Sequence, residues 1–119
     1  MAQSAFETAD PIAAIDRGHL TRMTFGDRSL EQEVLQLFDR QASLLIARMR
    51  NGDGALVGAL AHTLKGSAAG IGAGQVARAA AEAERAAADA PAELSATIDR
   101  LALAVDEARA LIAELLRQG

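Results

Sequence analysis

The chain has 119 residues, of which 50% are hydrophobic and only 3% aromatic, with no Trp, Tyr or Cys. The absence of cysteine excludes disulfides, thiolate chemistry and Cys-ligated metals. A formal net charge of -4 argues against a surface for nucleic acid or anionic membranes, which requires clustered Lys and Arg.

Hydropathy and the first residues predict a cytoplasmic protein. No apolar run approaches the roughly 20 residues that a membrane-spanning helix needs. Residues 1–10 are acidic where a secretory signal would be basic. The apolar residues are mostly Ala and Leu, which are strong helix formers, and no segment alternates apolar and polar residues with a period of two. These features predict one all-α domain over residues 1–119, with residues 1–9 disordered.

The first predicted helix begins at Asp10 and Pro11, an N-cap residue followed by a proline in the first helical position. It has Leu20 beside a stripe that consists of Ile12, Ile15 and Met23. Residues 24–26 break this helix.

Either Asp27 or Ser29 caps a second predicted helix, which runs to about Arg50. Its apolar stripe consists of Leu30, Val34, Leu37, Phe38, Leu45 and Met49. Gln41 interrupts this stripe, and Leu44 lies beside the stripe. A turn at residues 51–54 follows, in which Asn and Gly favour the end of one helix and Asp53 can cap the next. This short turn predicts an antiparallel helical hairpin.

The third helix is predicted to run from about Asp53 to Ala69, before a glycine-rich break at residues 70–74. The fourth, over residues 73–88, has a stripe of small side chains that would allow close approach to a neighbour, namely Val76, Ala80, Ala83 and Ala87. Residues 89–91 mark the next helix start. The fifth helix repeats apolar residues in steps of four and three, at Leu94, Ile98, Leu101, Val105, Ala108, Ile112 and Leu115. Such a seam suits a free coiled coil or a bundle, and the short loops favour a bundle.

The third helix turns a histidine away from its leucines. At about 100° per residue, His62 lies about 160° from the midpoint between Leu60 and Leu64. The leucine face is predicted to hold Leu56, Leu60, Leu64 and Ser67, with Thr63 beside it. The histidine face holds only small residues and one cation, at Gly58, Ala59, Lys65, Gly66 and Ala69. Because a glycine inside a helix costs about 1 kcal/mol relative to alanine, we interpret the two glycines as clearance for a partner.

An exposed imidazole is largely neutral at cell pH, so it can accept a phosphoryl group as a labile phosphoramidate. We expect Lys65 to neutralise part of the phosphate charge, and Ser67 to hydrogen-bond a partner or the ring. The motif holds no acid–base pair, P-loop or carboxylate cluster for Mg²⁺. The metal and the remaining charge stabilisation are therefore expected from a partner.

Residues 61–73, Ala-His-Thr-Leu-Lys-Gly-Ser-Ala-Ala-Gly-Ile-Gly-Ala, resemble the signature of histidine-containing phosphotransfer (HPt) domains. The resemblance extends over most of the chain, because Asp27 opens a long second helix, Phe38 lies within it, and Glu84 falls where the family often has Glu. Gly70 departs from the family, which frequently has Asn there. The resemblance implies an elongated antiparallel four-helix bundle with an additional short N-terminal helix.

The resemblance also implies a role for each motif residue. His62 would be phosphorylated, Lys65 would neutralise the phosphate, and Ser67 would be a supporting polar residue. Partner-binding residues are expected at Gly58, Ala59, Gly66, Ala69 and Glu84. The protein would be a monomeric phosphotransfer intermediate rather than an enzyme, without a cofactor or metal site of its own. Its partners would be response-regulator receiver domains, which supply Mg²⁺, and a hybrid histidine kinase.

Two functional classes stay open. The first is a multistep phosphorelay intermediate that carries a phosphoryl group on His62 between receiver-domain aspartates. The second is a helical adaptor or inhibitor that binds a kinase or receiver through the same face without carrying phosphate. The presence of Lys65 beside His62 favours the first. We interpret His19 as a half-buried packing residue, because it falls on or beside the apolar stripe of the first helix. A metal site made from His19 and His62 would need additional carboxylates.

Overall fold

The computed structural model describes residues 14–118, which are almost entirely helical and contain no strand. The elements in chain order are α1 (Arg17–Met23), α2 (Arg28–Asn51), α3 (Gly54–Ile71), α4 (Gly74–Asp89), a 3-10 turn (Pro91–Glu93) and α5 (Leu94–Gln118). None of these helices is long and apolar enough to cross a bilayer. The prediction of an all-α domain is confirmed.

Helices α2 to α5 form an elongated four-helix bundle, with overall extents of 45 × 32 × 20 Å. Each helix packs against the next one along the chain, and α5 closes the ring against α2. Helix α3 therefore has α2 on one side and α4 on the other, with α5 diagonally opposite. The additional short helix, α1, packs against α3. The predicted bundle architecture is confirmed.

Aspartates begin the first three helices. The side chains of Asp16, Asp27 and Asp53 accept hydrogen bonds from backbone N–H groups in the first turns of α1, α2 and α3, at 3.1, 3.0 and 2.9 Å. Such a cap contributes about 1 kcal/mol to stability. Asp27, and not Ser29, is thus the cap of α2.

Within the described residues, the first predicted helix is not continuous and one position of its stripe, Met23, is wrong. Because Asp16 caps α1, the helix begins only at Arg17, and Ile15 is buried in the bend before it. Leu20 is fully buried, whereas Met23 from the predicted stripe is 37% exposed. Asp10, Pro11 and Ile12 lie outside the described residues.

The buried side of α2 differs from its predicted stripe. Its buried residues are Leu35, Phe38, Ala42, Leu45 and Met49. Ala42 fills the core position that Gln41 seemed to interrupt, and Leu35 was missed. Leu30 and Leu37 were predicted in the stripe but are exposed, and Leu44 is exposed as well. The second line of leucines, at intervals of seven residues, made the periodicity of α2 ambiguous.

Small residues bring α3 close to α4. A Cβ atom added at Gly58 would lie 3.6 Å from the Cβ atom of Ala87. Helix α3 buries an arc wider than the predicted leucine face, made of Val57, Leu60, Ala61, Leu64, Ala68 and Ile71. Leu56 is 40% exposed, so its predicted core position is wrong. On α4, Ala86 rather than Ala87 is buried, together with Val76, Ala80 and Ala83.

The predicted seam of α5 is confirmed, because six of its seven positions are buried and Leu94 is half-buried. Two ion pairs link α5 to α2 outside this seam. The Arg109 Nε atom lies 2.7 Å from Asp39 Oδ1, and the hydrogen bond from Arg109 to Asp39 raises the pKa of the guanidinium. The Arg50 Nη1 atom lies 3.0 Å from Asp99 Oδ1. Asp39 and Arg50 therefore identify the side of α2 that faces α5.

Gly72 directly follows Ile71, the last residue of α3, and caps the helix in the left-handed conformation, with φ of +83°. Its carbonyl accepts a hydrogen bond of 2.9 Å from the Asp16 N–H, and the Gly70 carbonyl accepts one of 3.0 Å from His19 Nε2. A Cβ atom at Gly72 would lie 3.0 Å from the Asp16 carbonyl oxygen. Gly72 is therefore required both for the turn and for the docking of α1.

We expect Gly72→Ala to lower the free energy of unfolding by about 1–3 kcal/mol, because alanine is strained at positive φ and would push against Asp16. Urea denaturation provides the measurement. Gly66→Ala is the matched control, since a Cβ atom at Gly66 meets no atom within 4 Å. That variant should gain up to about 1 kcal/mol from helix propensity. Equal effects of the two substitutions would contradict this account of Gly72.

Candidate functional site

Helix α3 presents His62 to solvent. The side chain of His62 is 67% exposed, while Leu60 and Leu64 on either side of it in sequence are buried in the core. The helical period requires this arrangement, because residues two apart point in very different directions. The predicted separation of the histidine from these two leucines is confirmed.

Helix α4 brings a carboxylate to the histidine. Glu84 Oε2 lies 2.9 Å from His62 Nδ1, and Glu84 Oε1 lies 2.9 Å from Lys65 Nζ. One carboxylate thus bridges the two motif side chains that α3 provides. The sequence placed Glu84 among partner contacts, and the expectation of an imidazole surrounded only by small residues and one cation was therefore incomplete.

The sequence feature that could have predicted the contact between His62 and Glu84 is the hairpin formed by α3 and α4. His62 lies about ten residues before the turn at Gly72, and Glu84 about eleven residues after Ala73, so an antiparallel pair brings them level. Glu84 follows the buried Ala83 directly. It therefore lies about 100° round α4 from the core, at the margin towards α3.

The bridge determines which imidazole nitrogen carries a proton. An ionised carboxylate has only acceptor atoms, so in the His62–Glu84 hydrogen bond Nδ1 must donate its hydrogen. In a neutral ring, the lone pair is then on Nε2. The geometry therefore leaves Nε2 as the unprotonated nitrogen, on a side chain that is exposed to solvent.

Glu84 is an ionised carboxylate in this arrangement. The hydrogen bond from Lys65 lowers the pKa of Glu84, partial desolvation acts in the opposite direction, and the hydrogen bond from His62 lowers it further. The Glu84 side chain is 33% exposed. Lys65 itself is partly covered and is held by Glu84 rather than extended into solvent.

The other predicted site residues divide into two groups. Ala59, Gly66 and Ala69 are exposed, and Gly66 has open space around it. Gly58 is half-buried against Ala87, so it serves the contact with α4 as well as leaving room near His62. Ser67 is half-buried and lies about 140° round the helix from His62. The structure does not bring Ser67 into the bridge.

His19 takes part in packing rather than in the site. It is half-buried, and its Nε2 atom hydrogen-bonds the Gly70 carbonyl where α1 meets α3. Within residues 14–118, no group of three or more His, Asp or Glu side chains is arranged to hold a metal ion. His19 and His62 are not assembled into one site.

Acid should remove the contribution of Glu84 to stability. Because the pKa of Glu84 is lowered in the folded chain, its carboxylate stabilises the fold above the ordinary value of 4.5, and this contribution disappears as the pH falls through the lowered value. In urea denaturation, wild type should exceed Glu84→Gln in stability near neutral pH and lose that advantage below about pH 4.5. Glu107→Gln, at an exposed position of α5, is the control. A difference that does not change with pH would contradict the role of the charge.

Comparison with known proteins supports the reading of the motif. A family model for the Hpt domain matches residues 28–117, which covers most of the chain and contains α2 to α5 almost completely. No curated protein and no solved structure matches the chain. The matched region includes His62, Lys65 and Glu84. The chain therefore belongs to the Hpt domain family, whose members act in histidine phosphotransfer in two-component signalling.

Proposed function

We propose that His62 carries a phosphoryl group between the aspartates of receiver domains in a multistep phosphorelay. The observation that carries this proposal is the hydrogen bond between His62 Nδ1 and Glu84, which leaves the Nε2 lone pair free on a side chain that is 67% exposed. Family membership adds the reaction class, since Hpt domains are phosphotransfer intermediates and interact with receiver domains and histidine kinases.

In the proposed step, the Nε2 lone pair attacks the phosphorus atom of an aspartyl phosphate. The N–P bond forms, the P–O bond to the acyl oxygen breaks, and the aspartate leaves as a carboxylate. No proton has to be removed from Nε2, because the proton of the neutral ring is already on Nδ1. The phosphorylated ring then carries a positive charge, which the Glu84 carboxylate stabilises through the Nδ1–H hydrogen bond.

The same hydrogen bond serves the reverse reaction. When the N–P bond breaks, a ring that retains the Nδ1 proton leaves as neutral imidazole, which is a better leaving group than an imidazolide. Retaining this proton therefore favours onward transfer to a second aspartate. Glu84 is therefore a positioning residue for His62 in both directions. It acts through the ring and does not need to touch the phosphoryl group.

Charge neutralisation is divided between the two proteins in this proposal. Phosphoryl transfer depends on positioning and on stabilising the charge of the phosphoryl oxygens. Lys65, one turn after His62 on the same helix, contributes a cation from this chain. Lys65 is paired with Glu84 in the structure, so in this proposal it interacts with both Glu84 and the phosphate. We propose that Mg²⁺ held by the carboxylates of the receiver domain supplies the rest.

The alternative is a helical adaptor or inhibitor that binds a receiver or kinase without carrying phosphate. The exposed surface at Ala59, Gly66 and Ala69 would serve such a protein equally well. The Glu84–His62–Lys65 bridge favours the relay, because binding alone does not require a defined tautomer of the imidazole.

The first experiment measures transfer of radioactive phosphate from phosphorylated receiver domains, with Mg²⁺ present, to this protein. A panel of receiver domains from the same genome serves as donors. We expect wild type to become labelled and His62→Gln to remain unlabelled, because the substitution removes the nucleophile. Circular dichroism confirms that the variant is folded. Equal labelling of both proteins would exclude His62, and tight receiver binding without labelling of wild type would favour the adaptor.

A second experiment tests whether the open space at Gly66 serves the partner. Gly66→Arg should fold, because no atom lies within 4 Å of the added Cβ position, but it should reduce the transfer rate by at least about 100-fold by blocking close approach. Gly66→Ala should transfer within a few-fold of wild type. Unfolding of Gly66→Arg, seen by circular dichroism, would instead show that this position is needed for packing.

A further inference from the structure

The first helix is fastened to the end of α3 by two hydrogen bonds. The Asp16 N–H donates to the Gly72 carbonyl at 2.9 Å. The His19 ring donates from Nε2 to the Gly70 carbonyl at 3.0 Å, because a carbonyl oxygen can only accept. We call these two hydrogen bonds the α1 clamp. Although α1 packs against α3, both bonds lie at the turn that leads from α3 into α4.

Helix α4 depends on this turn for its position. It begins at Ala73 without a side-chain cap, whereas aspartates cap α1, α2 and α3. The buried side chains of α4 are all small, namely Val76, Ala80, Ala83 and Ala86. Methyl groups bury less apolar surface than leucine side chains and interlock less with their neighbours, so they offer less resistance to a tilt of the helix. The turn at Gly72 and Ala73 therefore helps to determine where α4 lies.

A small tilt of α4 at this turn would move Glu84 out of reach of His62. Glu84 follows Ala73 by about eleven residues, which is about 16 Å along the helix axis at about 1.5 Å per residue. Over that length a tilt of about 5° displaces Glu84 by about 1.4 Å. The hydrogen bond between Glu84 Oε2 and His62 Nδ1 is 2.9 Å long, and it would be lost beyond about 3.5 Å. The bridge thus requires a turn that is firmly held.

We propose that His19 is a positioning residue for the phosphotransfer site. Through the α1 clamp it holds the turn, the turn holds α4, and α4 holds Glu84 against the His62 ring. Without the hydrogen bond from His19, α4 tilts and the neutral His62 ring loses the acceptor that keeps its hydrogen on Nδ1. The effect on the ring follows from the contacts of this chain, and the effect on phosphate transfer rests on the proposed function.

The alternative is that His19 only keeps α1 attached to the bundle. Ile15 and Leu20 already provide that attachment, because they are 2% and 0% exposed and belong to the core. Removal of the His19 hydrogen bond should therefore leave α1 docked and the chain folded. It removes the polar contact between α1 and the last turn of α3, and this contact is what the proposal requires.

Wild type provides the first test, by ¹⁵N NMR of its two histidine rings at about pH 8.5, where imidazole is ordinarily neutral. The signals are assigned with His62→Gln and with a His19 variant. We expect His19 to carry its hydrogen on Nε2 and His62 on Nδ1, so the two rings should show opposite tautomers. A His19 ring with its hydrogen on Nδ1 would exclude the bond to Gly70 and overturn the proposal.

Variants of His19 test whether the clamp acts on the site. His19→Phe keeps a ring without a donor, whereas His19→Gln retains an N–H donor. In His19→Phe we expect the His62 ring to shift away from the Nδ1–H tautomer and phosphate transfer to slow by about 10-fold. His19→Gln should restore the ring signals and bring transfer to within about 2-fold of wild type. Asp16→Ala removes the cap of α1 and should change the His62 signals in the same direction, which tests the proposal even if His19→Phe does not fold.

Asp39→Asn is the matched control. It weakens the ion pair with Arg109 between α2 and α5, and it touches neither α1 nor the turn between α3 and α4. Urea denaturation gives the stability of every variant. The control should lose stability without changing the ring signals of His62.

The outcomes separate this proposal from the proposed function. If the His62 ring keeps its wild-type signals in a folded His19→Phe, or if Asp39→Asn changes them equally, His19 serves stability alone and the proposal is overturned. It is also overturned if His19→Gln behaves like His19→Phe, because the hydrogen bond is then not the cause. If no receiver labels wild type, the relay fails, while the ring signals still decide the role of His19.

Discussion

The site depends on one carboxylate that reaches across a helix boundary. Glu84 accepts hydrogen bonds from His62 and from Lys65, and it is the hydrogen bond to Nδ1 that selects the Nδ1–H tautomer of the neutral imidazole. The bridge couples the proton on Nδ1 to the charge on Lys65 through the two oxygens of one group. A change at any of the three side chains therefore affects the other two, as expected for a small, partly covered network.

The packing of α3 against α4 makes this bridge possible. Gly58 and Ala87 bring the two backbones near each other, so a glutamate on one helix can reach an imidazole on the other. The turn at Gly72 sets the register between the helices, and α1 fastens the turn through Asp16 and His19. The short first helix thus contributes to the geometry of a site that it does not touch.

The glycines of α3 illustrate two different uses of the same residue. Gly72 is needed by the fold, because its φ is positive and the Asp16 carbonyl lies against it. Gly66 lies in regular helix with empty space around it, so the fold has no use for the missing side chain there. Its cost in helix propensity is offset only if a partner approaches that surface. The distinction separates a glycine that the fold requires from one that the fold does not require.

The sequence by itself determined the helical class, the cap at Asp53, the seam of α5 and the exposure of His62, because each follows from local periodicity or capping chemistry. It narrowed the cap of α2 to Asp27 or Ser29, and the structure selects Asp27. It did not determine the buried side of α2, since two lines of leucines compete there and only contact with α5 and α3 selects between them. It also did not determine the state of the imidazole. That state follows from the distance between Glu84 and His62, residues 22 positions apart that only the packing of α3 on α4 brings together.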